Sequence, residues 1–217
     1  MPTRICFDRM LQKSEREIID KLDSPYKIQA YLDTLIYSSD SFYRCPLRVL
    51  RDGVAHCFDG ALFATAMLNR LGYPALILDM IPNDRDDDHL LAIFKQHGHW
   101  GAVAKSNFVG LRFREPIFSN LRELVLSYFE AYYNLAREKT LRGYTVPLNL
   151  KSFDKFNWMT NDKTMDLIAK RLDKMRKISL LTPEMIAKLS LLDERSYLAG
   201  LQGVNEEIGR ASCRERV

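Results

Sequence analysis

Apolar positions follow two rhythms along this chain. After Ser24-Pro25, the residues Ile28, Tyr31, Leu32, Leu35 and Ile36 recur at helical spacing. Serine at the N-cap and proline at the first helical position predict where that helix begins. The polar run 38–41 closes it, and residues 42–56, with Pro46 and Gly53, read as a loop-rich approach. A second helix is predicted to open at Cys57 and continue through Leu62, Ala66, Leu68 and Leu71. Its small residues Gly60, Ala61, Ala64 and Ala66 allow close packing. Gly72 supplies a left-handed cap and Pro74 blocks continuation. The rhythm then changes to short apolar runs between polar turns, at 75–81, 89–94, 100–104 and 108–113. These predict four strands, with Gln96-His97-Gly98-His99 as a turn. Helical spacing returns after Ser119, with Leu121, Leu124, Val125, Tyr128, Phe129 and Tyr132 on one face, and again over 164–177 and from Thr182-Pro183.

The predicted order is helices, then a helix and strands, then helices. That is an α+β fold: a cysteine-bearing helix on an antiparallel sheet with flanking helices. The expected organisation is a helical segment at 1–41, a core at 42–134, a helical extension at 135–206 and a separate tail at 207–217. The tail has no apolar periodicity. It resembles the conceptual translation of a sequencing adapter and is read as an artefact.

The chain has 217 residues, 47% hydrophobic and 28% charged. That is long enough to bury a substantial core without a disulfide or metal staple, and it excludes disordered, collagen-like and coiled-coil classes. No apolar run has the length of a membrane span. Residues 1–13 carry scattered charges and no apolar stretch of a secretory signal, so a cytoplasmic location is expected. The net charge is +4; without the tail's three Arg and two Glu it is 4 − 3 + 2 = +3. This is mild, and no nucleic-acid partner is expected. The cysteines, Cys6, Cys45, Cys57 and Cys213, form no CxxC pair. No zinc site, other metal or organic cofactor is expected, and a reducing compartment would keep the thiols free.

Cys57 is the chemically suggestive position. The first turn of a helix is the positive end of its dipole, which favours a thiolate. A thiolate nucleophile needs a base, usually His, and a group that orients it. His89 starts a strand that can return to the helix N-terminus. If Gln96 pairs with His99, paired positions sum to 195, and His89 falls opposite Ser106; a slip of one residue brings Asn107. Asn107 is the preferred orienting residue, with Ser106 and then Asp79 as alternatives.

The run Gly53-Val54-Ala55-His56-Cys57-Phe58-Asp59-Gly60-Ala61, followed by Leu68-Asn69-Arg70-Leu71-Gly72-Tyr73-Pro74-Ala75, resembles the transglutaminase-like superfamily. His89 and Trp100 match its His-led and Trp-led strands. The resemblance covers about residues 46–107, and the whole chain resembles a bacterial branch of that superfamily. It implies a papain-like core and a cysteine peptidase, amidase or acyltransferase with a Cys-His-Asn or Cys-His-Asp site. Ala104 and Lys105 stand where the family carries Asp, leaving Asn107 as the nearest candidate.

Other features have plainer readings. Cys6 and Cys45 lack such a set and read as structural or incidental. His56 points about 100° away from its neighbour on a helix and is a poor base. His97 and His99 belong to an exposed turn. Asp84, Asp86, Asp87 and Asp88 fit no calcium loop and read as a solvated loop in which one carboxylate could tune His89. Tyr128, Phe129, Tyr132 and Tyr133 read as packing, and the basic run 170–177 as a solvated helix face. Arg112 and Arg114 either frame a cleft or bind a substrate carboxylate, or else form a surface ion pair. The expected function is thiol-dependent acyl transfer on an amide or isopeptide bond of a peptide, protein or small amide. Cys57 would be the nucleophile, His89 the base and Asn107 its orienting partner. The oxyanion would be held by the Cys57 N–H and a donor from residues 42–56. The competing reading is a non-catalytic interaction module with a decayed triad on the same fold.

Overall fold

A computed structural model describes residues 3–204; the tail at 207–217 lies outside the described residues. The chain begins with α1 (Thr3–Met10), α2 (Lys13–Ile19) and α3 (Pro25–Thr34). Then come β1 (Ile36–Tyr37), α4 (Pro46–Asp52), β2 (Val54–Ala55) and α5 (Cys57–Arg70). The sheet strands β3 (Leu76–Pro82), β4 (His89–Gln96), β5 (His99–Val103) and β6 (Arg114–Phe118) follow. After α6 (Leu121–Leu126) lie β7 (Leu141–Thr145), β8 (Leu148–Asn149), α7 (Lys163–Asp173), β9 (Lys177–Ser179), α8 (Pro183–Ala187) and α9 (Glu194–Gly200).

The main sheet has seven strands in the order β6-β5-β4-β3-β7-β9, with β8 also paired to β3. Every pairing in it is antiparallel. Both faces are covered. On one, α5 packs over Ile77, Leu90, Ala92, Phe94 and Val103; on the other, α6 and the segment after it cover Leu78, Met80, Leu91, Ile93 and Ala102. Double burial explains why β3 and β4 read as nearly continuous apolar runs instead of alternating ones.

Local chemistry sets the element ends. The Ser24 side chain accepts the Lys27 N–H at the start of α3. Gly72, at φ 95°, ends the α5 turn, and the Tyr73 N–H returns to the Leu68 carbonyl. His97 and Gly98 have φ of 48° and 82°, the two positive values that a two-residue hairpin of type I′ requires. The β4–β5 ladder pairs Gln96 with His99 and Ala92 with Val103, the register summing to 195.

Three expectations differ from the structure. Residues 135–206 are not a helical extension: β7, β8 and β9 arise there and complete the sheet, with β7 hydrogen-bonded to β3 at its centre. Their short, mixed runs, such as Leu141-Arg-Gly-Tyr-Thr145, carry no strong periodicity. Residues 108–113 form no strand. The Ser106 hydroxyl accepts the Phe108 N–H, a 3₁₀ turn occupies Val109–Leu111, and the strand starts at Arg114. Finally, α6 is capped by Asn120, not Ser119, and ends at Leu126; Tyr128 and Tyr132 are buried beyond it.

Candidate active site

Cys57 is the first residue of α5, a helix of 14 residues, and is fully buried. His56 is the N-cap, and its Nδ1 accepts the Asp59 N–H at 3.4 Å. This makes His56 a capping residue. Just upstream, β1 pairs in parallel with β2, placing Tyr37 beside Ala55, two residues before Cys57. Cys6 and Cys45 are free thiols, as expected. Cys57 instead carries a disulfide, so nucleophilic chemistry at this position belongs to its reduced form.

The first turn of α5 abuts Lys105, against whose side chain Gly60 packs so closely that a Cβ there has no room. Lys105 lies two residues beyond Val103, the last β5 residue paired with β4. His89 stands at the start of β4. His89 is 1% exposed. It pairs with Met80 and shares the sheet face of Leu91 and Ile93, whereas α5 covers the face of Leu90 and Ala92. Its Nε2 lies 2.8 Å from the Leu111 carbonyl. A carbonyl only accepts, so Nε2 carries the proton and Nδ1 the lone pair. Burial pushes the imidazole down to about 4, partly offset by the Leu111 bond, which keeps it neutral at ordinary pH.

The hairpin arithmetic does not extend to Ser106. The ladder stops at Val103 because the Gln29 side chain takes both backbone groups of Ala104: Nε2 donates to its carbonyl at 3.0 Å, and Oε1 accepts its N–H at 3.1 Å. Lys105 then turns away, donating to the carbonyls of Leu32 and Leu35 at 2.8 and 2.6 Å. It thereby satisfies groups at the C-terminal end of α3. Burial pushes this ammonium down to about 8. Asn107 is nearly buried and, with Tyr37, Lys105 and Ser106, lines a cavity of about 280 Å³. Asp79 lies on the Ile77 face of β3, opposite the face that His89 shares. A backbone carbonyl thus meets His89 Nε2, and no side-chain search of the sequence could have flagged it.

Asp59, on the first turn of α5, is a residue that sequence reasoning missed. It is fully buried; its Oδ1 accepts the Arg44 N–H at 2.8 Å, and its Oδ2 has no hydrogen-bond partner among the described residues. Burial pushes the carboxyl up to about 7 against the pull of Arg44. The Arg44 guanidinium is shared with Asp40, Asp52 and Ser38. This network ties residues 38–52 to the foot of α5.

The remaining expectations sort by contact. Arg114 bonds Ser127 and the Gly110 carbonyl and covers the Tyr128 ring, so it fixes the 109–111 turn. Arg112 pairs with Asp33 at 3.2 Å. The acidic loop lines a cavity of about 420 Å³ with Asp79, Asp173 and Lys177. Among the described residues, no cluster of three His, Cys, Asp or Glu side chains is arranged to hold a metal ion. No described helix is long and apolar enough to cross a membrane.

By sequence, no family model and no curated protein matches the chain. Among solved structures it is similar to Legionella pneumophila LapG, with 16% identity over 75% of this chain and 95% of that one, at a TM-score of 0.39. The EGTA-treated form of LapG gives 15% identity over 78% and 95% at the same TM-score. This is a distant likeness in fold.

Proposed function

We propose that the protein is a thiol-dependent acyl-transfer enzyme acting on an amide or isopeptide bond. The observation that supports this most is Cys57 at the first position of α5, in a chain that also holds a buried, neutral histidine at the start of β4 with its proton on Nε2. In the reduced protein, the helix N-terminus favours the Cys57 thiolate. Nδ1 of His89 takes the thiol proton and returns it to the leaving amine. The Leu111 carbonyl holds the ring, and Asn107 stands in the wall of the cavity beside Tyr37. The thiolate attacks the carbonyl carbon, the amine departs, and water or a second amine resolves the thioester. A peptide, protein or small amide is the substrate class, and a reducing compartment suits the reaction.

One observation favours the alternative of a non-catalytic module: His89 is in register with the sheet face opposite α5. Acyl-enzyme trapping separates the two. Reduced protein is mixed with p-nitrophenyl acetate, quenched in acid and mapped by mass spectrometry. Acetylation is expected on Cys57, absent in Cys57→Ala and at least tenfold slower in His89→Ala, in line with the loss of a general base. Acetylation spread over lysines, unchanged in both variants, would leave the module reading.

A further inference from the structure

The cavity of about 280 Å³ lies where the end of α3 meets the segment after β5, and its wall includes Asp33, Leu35, Lys105, Val109 and Arg112. Lys105 is only 5% exposed. Its Nζ donates to the carbonyls of Leu32 and Leu35 at 2.8 and 2.6 Å. Both acceptors are neutral. An ammonium has three N–H groups, so one donor and the whole charge remain after these two bonds. Burial pushes the group down only to about 8, so it is charged at neutral pH. Asp33, the carboxylate in the wall, is engaged elsewhere: its Oδ1 lies 3.2 Å from Arg112 Nη1 and accepts the Gln29 amide at 2.9 Å. Among the described residues, Lys105 forms no ion pair. A buried charge without a counter-ion is costly, and the cavity beside it is where one can be supplied. Arg112 adds a second cation to the wall. Its Nε donates to the Val109 carbonyl at 3.3 Å and its Nη1 pairs with Asp33, which leaves Nη2 outside these bonds.

We propose that this cavity binds a small monocarboxylate, whose oxygens are shared between the Lys105 ammonium and the Arg112 guanidinium. Lys105 and Arg112 against Asp33 leave the wall a surplus of one positive charge, which matches a monoanion and not a phosphate dianion. The volume is at the low end for ligand sites and suits a group about the size of one amino-acid residue. The ligand supplies the ion pair that the fold withholds from Lys105. Binding here uses neither Cys57 nor His89, so it stands apart from the acyl-transfer reading.

The experiment is calorimetric titration of the full chain at pH 7 with N-acetylalanine, its uncharged amide and inorganic phosphate. N-acetylalanine is expected to saturate one site per chain with a Kd on the order of 1 mM, and the amide and phosphate to bind at least about tenfold more weakly. Lys105→Met keeps the stem that packs on Gly60 and removes the charge; it is expected to weaken binding about tenfold or more, the scale of a lost charge-assisted bond. Arg112→Gln should do the same, and because that side chain is 35% exposed its variant keeps the fold even where Lys105→Met does not. Equal affinity for the acid and the amide would overturn the proposal, as would tighter binding of phosphate. So would binding unchanged in Arg112→Gln, or no saturable binding of N-acetylalanine at about 10 mM, tenfold above the expected Kd.

Discussion

At the scale of single residues, two buried titratable groups, His89 and Asp59, push stability in opposite directions with pH. His89 is pushed down to about 4, so its unfolded form binds a proton between about pH 4 and 6.5 that the folded form does not. That contribution favours folding more as pH rises. Asp59 is pushed up to about 7, so the folded form holds a proton that the unfolded form releases above about pH 4. That contribution weakens folding as pH rises. Over about pH 4.5–6 the two cancel in slope. The substitution Asp59→Asn keeps an oxygen for the Arg44 N–H and removes the carboxyl's titration. Denaturant unfolding at several pH values should then show the stability of the Asp59→Asn variant rising relative to wild type by about 1.4 kcal/mol per pH unit across that window. Parallel curves would mean that Asp59 is ionised in the folded protein. Cys57 and His89 were legible as candidates because their residue types and positions are written in the chain. Asp59 was not, since its burial comes from contacts with Arg44, fifteen residues upstream. The Leu111 carbonyl was not, since every residue has one.

At the scale of elements, the hairpin register follows from Gln96, His97, Gly98 and His99 alone, because turn length and positive φ values leave one pairing. Where the ladder stops is a different matter. Gln29 ends it from 75 residues away, and nothing in the local pattern announces that. Lys105 serves the end of α3 and seats Gly60 of α5. Gln29→Leu should leave the Ala104 N–H and carbonyl buried without partners and cost about 2–3 kcal/mol, at roughly 1–1.5 for each lost bond. Urea unfolding measures this. A change under about 0.5 kcal/mol, the range of ordinary surface substitutions, would show that the Gln29 bonds do not end the ladder.

At the scale of the molecule, one sheet is covered on both faces. The front half of that sheet was legible because β3, β4 and β5 are apolar runs bounded by turns. The back half, β7 to β9, was read as helical because its strands are short and take their places only through pairing with β3 and with one another. The segment after residue 134 contributes β7, β8 and β9 to the same sheet. The account's central claim is that the reduced Cys57 thiol is activated. Cys45 supplies an internal control, since it is also buried and its thiol is pushed up to about 12 by burial and Asp162. The most direct measurement is the rate of iodoacetamide labelling of each cysteine in reduced, folded protein near pH 6.5, resolved by peptide mass spectrometry. The account predicts that Cys57 labels first, ahead of the more exposed Cys6, that Cys45 stays essentially unlabelled, and that His89→Ala slows Cys57 alone. Labelling of Cys57 no faster than Cys6 or Cys45, and indifferent to His89→Ala, would contradict it.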